Sequence, residues 1–105
     1  MSWFFHSRKI EDLDELSNAA NDAIRARKWD EAEKHCRRLR DLYPDEVDAD
    51  DRLAQLRVAQ NDFAGALPYA RAALNMARNN PDKFDPELVT DLAEQVDFIE
   101  QKAVK

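Results

Sequence analysis

The segment Trp29-Asp-Glu-Ala32 returns 34 residues later as Phe63-Ala-Gly-Ala66. Each copy places an aromatic residue three positions before an alanine. Four and seven residues beyond each alanine stand small or apolar residues, Cys36 and Leu39 in the first copy and Ala70 and Ala73 in the second. A period of this length in a helix-forming sequence belongs to helix–turn–helix units, which bury their apolar faces only by stacking on one another. The spacing therefore predicts paired helices that approach closely at the alanines, with Trp29 and Phe63 filling the gap at each turn.

The rest of the chain agrees with helix throughout. One glycine and four prolines in 105 residues leave little room for β-turns, and alanine, leucine and long charged residues favour helix. The length fits one small domain with a modest core. The net charge of −6, from 16 basic and 22 acidic residues, argues against general affinity for nucleic acid or an anionic membrane. No stretch approaches the roughly 18 apolar residues of a membrane span. Met1-Ser-Trp-Phe-Phe-His6 is too short for a signal-peptide core. A single cysteine permits no internal disulfide and suits a reducing compartment, so the expected location is cytoplasmic.

Periodicity places five helices. The first is expected from Arg8 to Arg27, with Ile10, Leu13, Leu16, Ala20, Ala23 and Ile24 on one face. The second is expected from Asp30 to Leu42 and is stopped by Pro44. A third begins between Asp45 and Asp48, where carboxylates complement the helix dipole. The fourth follows Asp62 as N-cap and carries Pro68 in its second turn. After a loop over 79–85, Asp85-Pro86-Glu87 starts a fifth helix that reaches Ala103. The segments are an aromatic N-terminal stretch (1–7), two repeats (8–44 and 45–79) and a terminal helix (85–104).

Over residues 13–78 this pattern resembles the tetratricopeptide repeat family. Under that resemblance Ala32 and Ala66 are the signature alanines of the second helix, and Pro44 is the closing proline. Cys36 and Ala70 stand where an aromatic is usual. Leu16, Ala19, Ala20 and Ala23 occupy the first-helix signature positions, as do Asp50, Leu53, Ala54 and Arg57 in the second repeat. Asp50 and Arg57 are true departures, and Arg78 stands where a second closing proline would fall. The resemblance implies an all-α, right-handed superhelical stack of about five antiparallel helices, in which the fifth is a polar capping helix. It also implies a concave groove lined by the first helix of each pair.

Helix geometry puts Asp14, Ser17, Asn18, Asn21 and Arg25 of the first helix on that groove, with Asp48, Asp51, Arg52, Gln55 and Ala59 of the third. Thr90, Asp91 and Glu94 extend it. Side-chain amides and an arginine suit main-chain recognition of a bound segment, although any solvated helix face carries such residues. The partner-binding set is Asn18, Asn21, Asp51, Arg52 and Gln55. The carboxylate clamp that some members of the family use on chaperone tails is not expected. Ser17 stands in place of a lysine, Arg52 in place of an asparagine, and the fifth helix is acidic.

Two other features compete for a role. Residues 25–40 carry seven basic and three acidic side chains, whereas 41–51 carry six acidic and none basic. Asp30–Lys34 and Glu33–Arg37 have the favourable acid-first spacing of exposed helix pairs, which makes the basic stretch a solvated face before it is an anion site. Trp3, Phe4 and Phe5 are costly to expose; they fold back on the first helix, enter an interface with a partner or a second copy, or insert into a membrane surface, for which they are too short to anchor alone.

Catalysis has little support. His6 and His35 are far apart, Cys36 is expected inside, and no metal-ligand spacing or glycine-rich phosphate loop exists. The expectation is a non-enzymatic adaptor without cofactor or metal, with a protein partner and neither nucleic acid nor membrane. The alternative is a structural or oligomerising subunit of a larger assembly.

Overall fold

A computed structural model describes residues 12–104. Among the described residues it contains five α-helices and no strand: α1 (Leu13–Arg25), α2 (Trp29–Leu42), α3 (Asp48–Ala59), α4 (Phe63–Asn79) and α5 (Pro86–Ala103). Each helix packs on the next in sequence, and α1 also packs on α3. Short connections make consecutive helices antiparallel, so α1, α3 and α5 run in one direction and α2 and α4 in the other.

The first described helix begins at Leu13; the Arg8–Glu11 part of the expected helix lies outside the described residues. Asp12 holds extended backbone (φ −69°, ψ 142°) and its carboxylate accepts the Glu15 N–H at 3.3 Å, which caps the helix there. The helix stops earlier than expected, at Arg25, because Arg27 adopts left-handed backbone (φ 61°). The Arg27 N–H then bonds the Ile24 carbonyl, and the Lys28 N–H bonds that of Ala23, at 3.1 and 2.9 Å. This is a Schellman ending. The next hairpin repeats it 34 residues on. Asn61 has φ 62° and bonds Val58, while Asp62 bonds Arg57, at 2.9 and 2.8 Å. The sequence repeat is thus a repeat of turn backbone as well.

Asp62 and Asp85 cap α4 and α5 as expected, accepting the N–H groups of Gly65 and Leu88, each at 2.9 Å. The helix α4 runs through Pro68 without a break. Proline cannot donate to the Ala64 carbonyl, so one intrahelical bond is absent at that point.

The core forms three adjoining clusters. Leu16, Leu39 and Ala49 make one, flanked by Leu13 and Tyr43. A second joins Ala20, Ala23, Ile24, Ala32, Cys36, Leu53 and Leu56, with Trp29 packed against it. The largest joins α4 to α5 through Ala66, Ala70, Ala73, Leu92, Val96 and Ile99, with Phe63 at its edge. Ala20, Ala32, Ala54, Ala66, Ala73 and Ala77 are fully buried, so the helices meet over methyl groups. Val47 and Phe84 are also buried. They pin the two loops that follow α2 and α4, and Lys83 bridges these loops by an ion pair to Glu46 and a bond to the Asp45 carbonyl, both 3.1 Å.

Candidate interaction surface

The first helices of the two pairs meet through a polar chain. Arg52 Nε on α3 donates to Ser17 Oγ on α1 at 2.9 Å, and Arg52 Nη1 donates to Gln55 Oε1 at 2.8 Å. Ser17 is buried in this contact. It was expected on the groove surface, but it lies between α1 and α3 because the arginine reaches across to its hydroxyl. Arg52 and Gln55 are half-buried, so part of their bonding capacity is spent within the fold. Asn18 is exposed and Asn21 half-buried on the same helix as Ser17.

Asp51 sits beside this chain. Its Oδ1 is buried without a hydrogen-bond partner. Burial pushes its carboxyl above the ordinary carboxylate value, and Asp48 adds to that. Arg52 and side-chain hydrogen bonds with Gln55 and Gln95 oppose the shift. The Gln95 contact ties α3 to α5. The structure therefore brings Asp51, Arg52 and Gln55 into one connected strip that spans α1, α3 and α5, with Asn18 and Asn21 alongside on α1. Sequence reasoning missed Gln95. Its signal was present, since it follows Asp91 by one helical turn, on the face assigned to the groove.

The opposite side of α3 carries a second polar system. Glu33 on α2 receives Arg57 in a two-pronged contact, Nη1 to Oε1 at 3.0 Å and Nη2 to Oε2 at 3.2 Å. Arg37 approaches the same carboxylate at 3.4 Å. The Arg57 guanidinium lies 5.9 Å from the Tyr69 ring centre on α4, within range of a cation–π contact. Arg40 binds Asp50 at 2.6 Å. These contacts edge a cleft of about 550 Å³ between α2 and α4 that is floored by Asp50 and Leu53 and walled by Pro68 and Tyr69. The two departures from the repeat pattern, Asp50 and Arg57, are thus the α3 partners of charged residues on α2. Part of the basic stretch is accounted for by these partners, and Glu33–Arg37 forms at the expected spacing.

Cys36 is fully buried, and burial pushes its thiol up to about 12, with Glu33 adding to the shift and the nearby arginines opposing it. Such a thiol packs as a small apolar group. Among the described residues no group of three or more His, Cys, Asp or Glu side chains is placed to hold a metal ion, and no helix is long and apolar enough to cross a membrane. Trp3, Phe4 and Phe5 lie outside the described residues. On α5, Phe98 is half exposed; it meets Phe63 edge-on with ring centres 6.3 Å apart and lies 5.7 Å from Lys102 Nζ.

No family model, no curated protein and no solved structure matches this chain.

Proposed function

We propose that this chain is a protein-interaction module of tetratricopeptide-like design, working in the cytoplasm without catalysis or cofactor. A partner segment is held on the face made by α1, α3 and α5. The observation that supports this reading is the strip of hydrogen-bonding side chains across those three parallel helices. Ser17, Arg52 and Gln55 are already bonded to one another, so the exposed amide of Asn18 and the free valences of Asn21, Gln55 and Gln95 stand on a pre-set floor.

The test is affinity purification from the native host with wild type and with an Asn18→Arg/Asn21→Arg variant, which leaves the Ser17–Arg52 contact in place. The variant should fold with unchanged helicity and lose specific partners. An identical partner set would remove the face from consideration.

A second reading, a self-associating or structural subunit, draws on Phe98 and on Val104, which is 83% exposed at the end of α5. A stable dimer by light scattering that Phe98→Asp converts to monomer would favour it over the first.

A further inference from the structure

The proposed binding face has a charge polarity that its sequence positions hide. The Ser17–Arg52 hydrogen bond aligns α1 with α3, and Gln95 on α5 lies near the Asp51 carboxyl on α3. One helical turn before this line each helix carries an aspartate. Asp14 precedes Ser17, Asp48 precedes Asp51 and Arg52, and Asp91 precedes Gln95. Asp14 and Asp91 are exposed and Asp48 is half-buried. The position 11 residues beyond each aspartate returns to the same helix face, about 16 Å along it. Those positions are Arg25, Ala59 and Lys102. Arg25 and Lys102 are exposed, and Lys102 is held over the Phe98 ring.

The face therefore has an acidic edge, a floor of amides with Arg52, Asp51 and Glu94, and a far edge that holds two cations and an aromatic ring.

We infer that the partner segment carries basic side chains at one end, set against Asp14, Asp48 and Asp91, and acidic side chains at the other, set against Arg25 and Lys102. This rests on the interaction-module reading above and narrows it to a ligand class. An extended chain spans the distance between the edges in about five residues. Charge of this kind sets orientation and excludes wrong partners more than it adds affinity.

The probe is a synthetic peptide, capped at both ends, with two lysines separated from two glutamates by five Ser/Gly residues. Lys-only and Glu-only peptides of the same length are the comparisons. Binding is read from amide shifts of Asn18, Asn21, Gln55 and Gln95 in an NMR titration. The Lys–Glu peptide should move all four and weaken steeply with salt. Asp14→Asn, Asp48→Asn and Asp91→Asn should each weaken it about two- to fivefold, the range of a partly exposed ion pair. A triple change elsewhere, Asp30→Asn/Glu31→Gln/Asp41→Asn, removes more charge than any of these and should not weaken it. If the Asp48 change disturbs the start of α3, Arg25→Glu/Lys102→Glu keeps the test open by improving binding of the Lys-only peptide.

Equal binding of the Glu-only peptide, equal loss in that triple, or no shift up to about 5 mM peptide would overturn the inference. Shifts of the same amides by a natural partner segment without basic residues would overturn it and leave the face itself standing. Shifts that map to the cleft between α2 and α4 would overturn both.

Discussion

The contact between Glu33 and Arg57 should be worth far more than the surface ion pairs around it. The two side chains are 26% and 21% exposed and meet through two nitrogen–oxygen contacts of 3.0 and 3.2 Å. Charge-assisted bonds in such partly dry sites contribute about 1.5–3 kcal/mol. Arg57→Met keeps the packing of the stem and removes the charge, leaving Glu33 with Arg37 alone at 3.4 Å. That residual partner and water at the edge offset part of the loss, so the expected cost is about 2 kcal/mol, or roughly 10 °C in Tm for a chain of this size. Glu33→Gln should cost about 1 kcal/mol, since Arg57 keeps Gln60 at 3.2 Å and the Tyr69 ring.

A double-mutant cycle in urea should return a coupling of about 1–1.5 kcal/mol that changes little in high salt. The reference is Arg71–Glu100, a pair between α4 and α5 whose side chains are 53% and 43% exposed. Solvent screening should hold its coupling below about 0.5 kcal/mol, and salt should abolish it. Equal couplings for the two pairs, or a Glu33–Arg57 coupling that salt removes, would refute the reasoning from burial.

Three further outcomes follow from single sites. Cys36, with its thiol near 12 and no exposed surface, should react with a thiol reagent at pH 8 at least about 100-fold more slowly in the native protein than in urea; comparable rates would place it at the surface. Asp51 has its carboxyl raised by burial, so the folded state binds its proton more tightly than the unfolded chain and stability falls as pH rises through that window. Asp51→Asn should therefore stabilise at pH 7, with a gain that shrinks as pH is lowered toward the ordinary value of 3.8; a gain independent of pH would exclude titration as its cause. At Gly65 a Cβ would collide with the Asp62 carboxylate that caps α4. Gly65→Ala should thus gain less than the roughly 1 kcal/mol usual for a helix, and should recover that gain in an Asp62→Ala background. The same gain in both backgrounds would show that cap and methyl do not compete.

Much of the fold was legible because helix periodicity and capping are local. Ala32, Cys36, Leu39, Ala66, Ala70 and Ala73 are buried as the repeat required, and Asp62 and Asp85 cap as their positions implied. The ends of α1 also have a local cause. Asp12 caps the helix with its own carboxylate, and Arg27 takes a left-handed conformation that its residue type does not advertise. Val47 and Phe84 were not picked out, because a single apolar residue in a polar loop has no period to mark it. The candidate face was legible as a set of positions but not as a set of bonds. A helical wheel places Ser17 outward; only the packing of α3 on α1 brings Arg52 to cover it.

Those long-range bonds bear on how the two pairs are held together. Repeats that meet over large aromatics can fix their relative position by shape, but here the matching positions are Cys36 and Ala70, and the helices meet over methyl groups that tolerate sliding. Directional contacts between α3 and its neighbours supply what shape does not: Arg52 to Ser17 on α1, and Arg57 and Asp50 to Glu33 and Arg40 on α2. Of these three α3 residues, Asp50 and Arg57 are departures from the repeat pattern and Arg52 falls on the groove face. Polar pairs of this kind set register more than they add stability. On that hypothesis the Arg57→Met/Glu33→Gln protein, although it loses no more than its most costly single change, should show shifted amides along α1 as well as α2 and α3. Shifts confined to the immediate neighbours of residues 33 and 57 would mean that the methyl-lined core fixes the register unaided. In the former case the spacing of Asn18, Asn21, Gln55 and Gln95, and with it the choice of partner, depends on charges on the far side of α3.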